Sequence, residues 1–277
     1  MKKIGIIGQG YVGEAVKSVF EESSIVETYD INKPSSCKSI KELLIKADVI
    51  FICLPTPMNL DGTCNISIID KVLEEISKCS KSNHLIAIKS TIPPKTTDLF
   101  KNKYQNISIL FNPEFLTEAN YINDFKNQNR IIIGGNNKEA NLLHEIYKNI
   151  FPKSEIIITD STTAEMIKYT TNTFLATKVS FANEIKQLCD SLNINYSILI
   201  NHTLLDKRIA NSHFLVPGPD GNKGFGGSCF PKDINALIAL GKKLKINLNV
   251  IEGAWKTNLL VRPKKDWEKL KGRAVTE

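Results

Sequence analysis

The chain has 277 residues, of which 42% are hydrophobic and 23% are charged, and its formal net charge is +7 at pH 7. This length is sufficient for two domains with separate hydrophobic cores. The positive charge is compatible with a nucleic-acid partner, an anionic small molecule or a solvated basic surface. Because the lysines are dispersed rather than concentrated on one element, we interpret the charge as a solvated surface and expect neither nucleic acid nor membrane as a partner.

The cysteines and the amino terminus indicate a reducing compartment. No cysteine pair has C-x-x-C spacing and none has a histidine at ligand spacing, which argues against a zinc site and a disulfide framework. The cysteines are at positions 37, 53, 64, 79, 189 and 229. The first apolar run is cut short at Gly8, so we expect no export signal, and no run is long enough to cross a bilayer. We expect a cytoplasmic protein without a bound metal.

Short apolar runs alternate with helical patterns over the first 160 residues, which is typical of a parallel sheet with helices on both faces. Strands are predicted at 3–7, 25–29, 49–53, 85–88, 107–110, 131–133 and 155–158, and helices at 12–21, 68–78 and 139–150. We predict a Rossmann-type α/β domain at 1–160, an all-helical central dimerisation domain at 161–258, and a short charged tail at 259–277.

The first chemical motif, GQGYVG at residues 8–13, directly follows a predicted strand and opens a helix. Its glycines permit a tight turn and a close approach of backbone N–H groups to a pyrophosphate. Asp30 stands at the end of the second predicted strand, where a carboxylate accepts hydrogen bonds from the ribose of NAD and repels the extra phosphate of NADP. The motif therefore predicts an NAD site, the alternative being an α/β domain with a glycine-rich turn.

Three further polar segments follow predicted strands, at the sheet edge where open α/β sheets bind ligands. They are CLPTP at 53–57, KSTIPPKTT at 89–97 and NPEFLTEA at 112–119. Each of the first two is compatible with a binding loop or with a plain strand exit. In the third we predict a helix with Asn112 as N-cap, which would place Glu114 and Glu118 on one face. The alternative for these acids is that they only complement the helix dipole.

Residues 162–193 contain neither glycine nor proline and predict one long helix. Thr162 and Glu165 have the spacing of a capping box at its start. Apolar residues recur at intervals of seven, at Ile167, Phe174, Phe181 and Leu188, which predicts a dimer interface along the helix. The alternative is a helix buried within one subunit. Lys168 and Asn172 are four residues apart on this helix and offer an ammonium and an amide to one oxygen, or form a solvent-facing polar pair.

Cys229 lies in GFGGSCFPKD, residues 224–233, between two glycines and Pro231. The glycines let the backbone turn sharply, and the proline suits the first turn of a helix. A thiol at a helix start beside Lys232 is expected to ionise below the ordinary value of about 8.5, which makes it a nucleophile. The alternative is a buried structural cysteine.

Together these segments resemble the UDP-glucose/GDP-mannose dehydrogenase family. GQGYVG, CLPTP, KSTIPPKTT, NPEFLTEA, AEMIKYTTNTFLA and GFGGSCFPKD occur in that family's order and with about its spacing. The resemblance extends from residue 3 to about residue 255 and is greatest to the members that oxidise UDP-glucose.

The resemblance implies an NAD-dependent, four-electron oxidation of the C6 primary alcohol of a sugar nucleotide to a carboxylate, through a thiohemiacetal and a thioester on Cys229. Catalytic roles are implied for Cys229, Lys168, Asn172, Asp233, Glu114 and Thr91. Cofactor contacts are implied for Gly8, Gly10, Tyr11, Val12, Gly13, Asp30, Pro55, Thr56, Ser90, Thr91, Glu118 and Lys232. Substrate contacts are implied for Glu114, Phe115, Leu116, Thr117, Glu118, Lys168, Asn172, Arg208, Phe225, Gly226 and Cys229, with Arg208 reaching the neighbouring subunit of a homodimer.

Family members continue into a third domain that binds the nucleotide half of the substrate, whereas this sequence ends at Glu277. We therefore expect weaker substrate binding unless dimer contacts or a separate subunit supply the nucleotide contacts. The alternatives are a non-catalytic NAD- or sugar-nucleotide-binding protein that acts with a full-length partner, oxidation of GDP-mannose or UDP-N-acetylmannosamine, and oxidation of a smaller alcohol or hydroxy acid.

Overall fold

The computed structural model describes residues 2–80, 84–135 and 138–277. They divide into two compact units, of which the first comprises Met1–Thr56 and Ile66–Lys168 and the second Pro57–Asn65 and Tyr169–Glu277. The division differs from the predicted boundary at 160/161 in two respects. It falls inside the long helix, and the segment Pro57–Asn65 belongs with residues more than a hundred positions away.

The first unit contains a seven-stranded sheet in the order β2-β1-β3-β4-β5-β6-β7. The strands are β1 (Lys3–Ile7), β2 (Ile25–Tyr29), β3 (Val49–Ile52), β4 (Leu85–Ile88), β5 (Ser108–Phe111), β6 (Arg130–Gly134) and β7 (Glu155–Thr159). All neighbouring pairs are parallel except β5 and β6, which touch antiparallel at Phe111 and Gly134. β3 and β4 are buried over their whole length, as expected for central strands of a sheet covered on both faces.

Helices cover both faces of this sheet, as predicted. α2 (Ile40–Lys46), α3 (Ser67–Cys79) and α4 (Thr96–Lys103) contribute to one apolar cluster, and α1 (Tyr11–Phe20), α5 (Tyr121–Lys126) and α6 (Lys138–Ile150) to the other. The predictions for α1, α3 and α6 are confirmed to within a residue or so at each end. The short helices α2, α4 and α5 were not predicted, because six to eight residues carry little periodic signal.

The predicted long helix is α7, Ser161–Ser191. Its start, however, is not the predicted capping box. The carboxylate of Asp160 accepts a hydrogen bond from the N–H of Thr163 at 2.8 Å. Glu165 instead points to the start of α4, where it accepts from the N–H groups of Lys95 and Thr97 at 2.6 and 2.7 Å and from the Thr97 hydroxyl at 2.6 Å. Glu165, which the local pattern assigned to a capping box, therefore forms a tertiary contact with α4 instead.

Glu165 should make stability depend on pH. Burial raises its pKa from an ordinary 4.5 to about 7, against the opposing effect of its hydrogen bonds to Thr97 and Lys95. Because the folded state then binds a proton that the unfolded state has released, the free energy of unfolding should fall as pH rises from about 4.5 to 7, by up to ~1.4 kcal/mol per pH unit. Urea denaturation across this range should show a slope that Glu165→Gln lacks. Equal slopes in both proteins would contradict the assignment.

The second unit is built from the remainder of α7 with α8 (Tyr196–Thr203), α9 (Phe230–Leu244) and α10 (Asn249–Val261), followed by a 3₁₀ helix at Asp266–Lys269. Its core includes Ala176, Phe225, Ile234, Ile238 and Ala254. These residues come from α7, α9, α10 and the segment before α9, so the core joins the helices to the predicted cysteine segment.

The residues predicted to be a short charged tail are folded. Trp267 is 1% exposed and its ring lies 5.3 Å from that of Trp255. Met58 pairs with the end of the chain, donating to the carbonyl of Ala274 at 2.9 Å and accepting from the N–H of Thr276 at 2.9 Å. The prediction of a tail relied on the many charged residues. It missed that one buried tryptophan and backbone pairing fix this otherwise polar segment in place. No described helix combines the length and apolar character needed to cross a membrane.

Candidate active site

The glycine loop between β1 and α1 leaves room for a ligand on one side only. Gly8 has a φ of +93°, and a Cβ on it would overlap the carbonyl of Cys53. A Cβ on Gly13 would overlap the carbonyl of Gly8, so both glycines are needed for the fold of the loop itself. At Gly10, by contrast, no described heavy atom lies within 4 Å of the position of a Cβ. Gly10 is also the N-cap of α1, where free N–H groups favour an anion, and the loop therefore fits a pyrophosphate.

Asp30 lies beside this loop, as predicted. Its Oδ2 accepts from the N–H of Gln9 at 2.7 Å, and its Oδ1 accepts from the N–H groups of Asn32 and Lys33 at 2.8 and 3.1 Å. These bonds hold the carboxylate at the end of β2, and Oδ2, which accepts a single one of them, retains capacity for a ribose hydroxyl. Lys33 donates to the Gln9 carbonyl and to Glu14, both at 2.6 Å, so Glu14 balances its charge at the loop.

The loops after β3 and β4 hold each other. The Thr56 hydroxyl donates to the carbonyl of Thr91 at 2.8 Å, and the Ser90 hydroxyl accepts from the N–H of Leu54 at 2.9 Å. Thr56, Ser90 and Thr91 are buried, whereas Pro55 is exposed. The first two hydroxyls therefore fix the loops at the carboxyl edge of the sheet, where the glycine loop also lies.

The predicted helix at Asn112 is wrong. Residues 112–117 are irregular, and the next helix, α5, begins at Tyr121. The Asn112 side chain is engaged in a buried network in which its Oδ1 accepts from Lys89 at 3.0 Å and from Tyr147 at 2.5 Å, and its Nδ2 donates to the carbonyl of Ile132 at 2.7 Å. Glu114 and Glu118 consequently do not share a helix face: Glu114 is buried and Glu118 is exposed.

Glu114 forms a buried ion pair with Lys168 of α7. The Lys168 ammonium donates to the Glu114 carbonyl at 2.6 Å and to its Oε1 at 3.1 Å, and it lies 5.3 Å from the ring centre of Phe115. The second carboxylate oxygen, Oε2, is buried and has no hydrogen-bond partner among the described residues. A buried oxygen without a partner is unfavourable, so this atom is suited to a water or a substrate hydroxyl.

In the second unit, Cys229 is the N-cap of α9 and is partly exposed. This differs from Cys53, whose burial raises its thiol pKa to about 12 and makes it inert. Lys232, one turn into α9, forms a buried ion pair with Asp233. Burial lowers the pKa of Lys232, but the charges of Asp233, Cys64 and Cys229 outweigh it and hold the pKa above its ordinary range. A permanent cation therefore lies in the first turn of the helix that Cys229 begins.

Asp233 connects α9 to α7. Its Oδ2 accepts from the side-chain amide of Asn172 at 2.6 Å, and both residues are buried. Asn172 and Lys168, one turn apart on α7, thus each hold a carboxylate. Neither is the solvent-facing polar residue that the alternative interpretation required.

The remaining predicted residues fall into an exposed, a half-buried and a buried group. Arg208 lies on an exposed turn after α8 and makes a two-point ion pair with Asp206. Tyr11, Thr117 and Glu118 are exposed, Val12, Leu116 and Gly226 are half-buried, and Phe225 is buried. Sequence reasoning missed Asn258 of α10, whose side chain bonds both backbone groups of Phe225 at 2.7 and 3.0 Å. The sequence feature that could have indicated its role is an asparagine within an apolar helical stretch.

A mostly parallel sheet covered by helices on both faces, with a glycine loop that fits a pyrophosphate and Asp30 at the end of β2, defines a Rossmann-type domain of the NAD-binding class. Residues 25–151 match the NAD binding domain of the UDP-glucose/GDP-mannose dehydrogenase family, and residues 162–259 match the central domain of that family. The chain belongs to this family, and its first unit is the family's NAD-binding domain.

Known relatives and structures agree with this assignment. The chain is 40% identical over 223 residues to a UDP-glucose 6-dehydrogenase of Rickettsia bellii, covering 78% of this chain and 50% of that protein. A UDP-glucose 6-dehydrogenase of Bacillus subtilis is 32% identical over 93% of this chain and 63% of its own length. The structure of a UDP-glucose dehydrogenase from Pyrobaculum islandicum superposes with a TM-score of 0.86 at 28% identity, covering 98% of this chain and 70% of that one. The chain thus spans about half the length of several curated relatives.

Two glycine substitutions should separate NAD binding from folding. Gly10→Ala places a methyl group in open space at a φ of −74°, which alanine adopts freely, so thermal stability should be unchanged. The methyl would obstruct the pyrophosphate, and we expect NAD affinity measured by calorimetry to fall at least ~10-fold. Gly13→Ala should reduce both affinity and melting temperature, because its methyl overlaps the Gly8 carbonyl. Wild-type affinity in Gly10→Ala would show that the pyrophosphate does not bind at this loop.

Proposed function

We propose that this protein is an NAD-dependent nucleotide-sugar dehydrogenase that oxidises the C6 primary alcohol of UDP-glucose twice, to the carboxylate. The observation that carries the proposal is Cys229 at the start of α9, partly exposed and followed by a permanently charged Lys232. A protein that only binds NAD or a sugar nucleotide needs no such thiol. The choice of UDP-glucose rests on the names of the curated relatives, of which the chain covers about half.

In this proposal different side chains carry out different steps of the reaction. NAD⁺ held at the glycine loop and Asp30 would supply the hydride acceptor, and each of the two oxidations would need its own NAD⁺. The free oxygen of Glu114, directly or through a water, takes the proton of the C6 hydroxyl during the first oxidation. The Cys229 thiolate then adds to the aldehyde carbon and forms a thiohemiacetal.

The adduct carries a developing oxyanion, for which Lys168 and Asn172 are the hydrogen-bond donors. Loss of the second hydride leaves a thioester on Cys229. Water attacks the thioester carbonyl with Asp233 as the proton acceptor, the C–S bond breaks, and the thiolate is regenerated. The balance is one alcohol, one water and two NAD⁺ in, and one carboxylate, two NADH and three protons out.

The test is NADH formation by the purified protein with UDP-glucose, GDP-mannose and UDP-N-acetylmannosamine in parallel. We expect two NADH per molecule of UDP-glucose consumed and a lower kcat/KM for the other two. NAD binding without turnover on any of them would support the non-catalytic alternative and overturn the proposal. Turnover on a small alcohol or hydroxy acid alone would overturn the assignment of a sugar nucleotide.

The active form in this proposal is a homodimer joined along α7. Ile167, the first member of the seven-residue repeat, is half-buried against an apolar cluster of its own chain. Phe174, Phe181 and Leu188 are 63%, 55% and 58% exposed, so the described residues of the chain do not cover the other three members. Three large apolar side chains in one row on a helix are unusual on a free surface and fit a second copy of the helix. The exposed Arg208 would then be available to the partner's substrate.

Phe181→Glu should convert this dimer to a monomer, as measured by light scattering, because it places two charges in the interface. Leu99→Glu is the matched control, since Leu99 is 56% exposed but lies on α4. We expect Leu99→Glu to remain dimeric. A wild-type protein that is monomeric at micromolar concentration, or a dimer that survives Phe181→Glu, would contradict the interface.

A further inference from the structure

The glycine segment before Cys229, residues 224–227, forms hydrogen bonds with polar side chains from two helices. Asn258 of α10 accepts from the N–H of Phe225 at 2.7 Å and donates to its carbonyl at 3.0 Å. Asn183 of α7 accepts from the N–H of Gly224 at 3.2 Å. These are buried groups that bond to the backbone rather than to other side chains. The first half of the segment is therefore fixed by Asn258 and Asn183.

The second half of the segment, Gly226 and Gly227, lies against an ion pair. Arg262, which follows α10 and is almost completely buried, donates from Nε to Asp266 at 2.5 Å and from Nη2 to Asp220 at 2.6 Å. Asp266 in turn accepts from the N–H of Gly227 at 3.3 Å. A Cβ on Gly226 would overlap both the Arg262 guanidinium and the Asp266 carboxylate. The backbone of this segment thus lies directly on the ion pair.

We propose that Arg262 and Asp266 are positioning residues for Cys229, which fix the backbone of Gly226 and Gly227 and thereby the direction of the thiol at the start of α9. Two successive glycines restrict the backbone little by themselves, and Gly227 has a φ of +71°, so an outside contact must select one conformation. Arginine suits this task because its planar guanidinium binds two carboxylates at once in a fixed geometry. A lysine ammonium would hold them less rigidly.

The proposal rests on the proposed function in one respect, namely that Cys229 is the nucleophile. It goes beyond that function because Arg262 and Asp266 lie after residue 259, outside the segments that match the family. Asp266 contacts the segment through the backbone N–H of Gly227, two residues before Cys229, and Arg262 holds Asp266. A change at Arg262 should therefore alter how Cys229 reacts without removing any group that reacts with the substrate.

The test is the pH dependence of Cys229 alkylation by iodoacetamide, followed by mass spectrometry of the peptide that contains it. In the wild type we expect a midpoint below the ordinary thiol value of about 8.5. Arg262→Gln and Asp266→Asn should each raise the midpoint by about one pH unit and slow alkylation at pH 7 by about tenfold. Lys264→Ala, an exposed residue of the same segment, should leave the midpoint unchanged. Lys232 and Asp233 of α9, Cys64, whose charge acts on Lys232, and Arg273, which donates to the Ser228 hydroxyl, remain in all variants.

Guanidinium rescue distinguishes positioning from general support of the fold. Arg262, Asp220 and Asp266 line an open cavity of about 490 Å³, through which a small cation can reach the two carboxylates. Added guanidinium should move the midpoint of Arg262→Ala back towards that of the wild type, whereas tetramethylammonium, which cannot donate hydrogen bonds, should not. If Arg262→Ala fails to fold, the comparison of Asp266→Asn with Lys264→Ala decides. An unchanged midpoint in the folded variants overturns the proposal.

Alkylation does not need turnover, so the two proposals fail separately. If the wild type forms no NADH, the dehydrogenase activity is refuted. A shifted midpoint in Arg262→Gln would still support the positioning role in that case. With normal NADH formation, equal midpoints in the wild type, Arg262→Gln and Asp266→Asn would refute the positioning role alone. In an active enzyme, the loss in Arg262→Gln should appear mainly in kcat rather than in KM, because the Arg262 guanidinium is engaged by Asp266 and Asp220 and its proposed effect is on the thiol.

Discussion

Cys229→Ala should form at most one NADH per UDP-glucose and should produce the carboxylate at least ~10³-fold more slowly than the wild type. The reason is that the second hydride leaves from a tetrahedral carbon. In the mechanism proposed above, the aldehyde carbon becomes tetrahedral by addition of the Cys229 sulfur, and no other described thiol lies at the start of α9. The NADH yield and mass spectrometry of the sugar nucleotide would measure the two effects separately.

Two variants control for loss of a thiol and loss of volume. Cys79→Ala removes a thiol of intermediate exposure at the end of α3 and should leave the NADH yield at two. Cys229→Ser retains the size of the side chain but replaces the thiol by a hydroxyl that does not ionise near neutral pH, and it should fail like Cys229→Ala. Carboxylate formation at the wild-type rate in Cys229→Ala would exclude the thioester route.

Patterns repeated along the chain predicted the elements well. β3 and β4 are continuous apolar runs, and α7 is a stretch without glycine or proline. In each case many residues carry the same signal, so one unusual side chain changes nothing. The family resemblance behaves in the same way, because six motifs in order support one another.

Predictions that depended on a single side chain were less secure, because distant residues compete for that side chain. Asn112 was expected to cap a helix, but Lys89 and Tyr147, 23 and 35 residues away, engage its amide instead. Glu165 was expected in a capping box, but it bonds to Thr97, 68 residues away. Such partners are set by the packing of the sheet and its helices, and they are invisible to any local pattern.

The site shows the same division. The position of Cys229 at a helix start and the turn of the glycine loop could be predicted, because both depend on residues that are close together in the sequence. The side chains that hold the cysteine segment could not, since Asn258 and Arg262 meet it from 33 to 36 residues further along the chain. Likewise, nothing in the sequence near Met58 indicates that it pairs with Ala274.

Lys168→Met should affect both stability and catalysis. It leaves the buried Glu114 carboxylate without its cation, for which we expect a loss of ~3–5 kcal/mol in the free energy of unfolding at pH 7. It also removes a donor to the oxyanion, and kcat should fall ~10²–10³-fold. Urea denaturation and NADH formation measure the two effects.

A double variant separates these two roles. Glu114→Gln alone should cost less stability than Lys168→Met, because the ammonium keeps the Glu114 carbonyl as an acceptor at 2.6 Å. In Lys168→Met/Glu114→Gln neither charge remains, so most of the lost stability should return, with a coupling energy of about 0.5–3 kcal/mol. Activity should not return, since both the oxyanion donor and the proton acceptor are missing. If activity recovered together with stability, the ion pair would serve the fold alone, and another cation would have to hold the oxyanion.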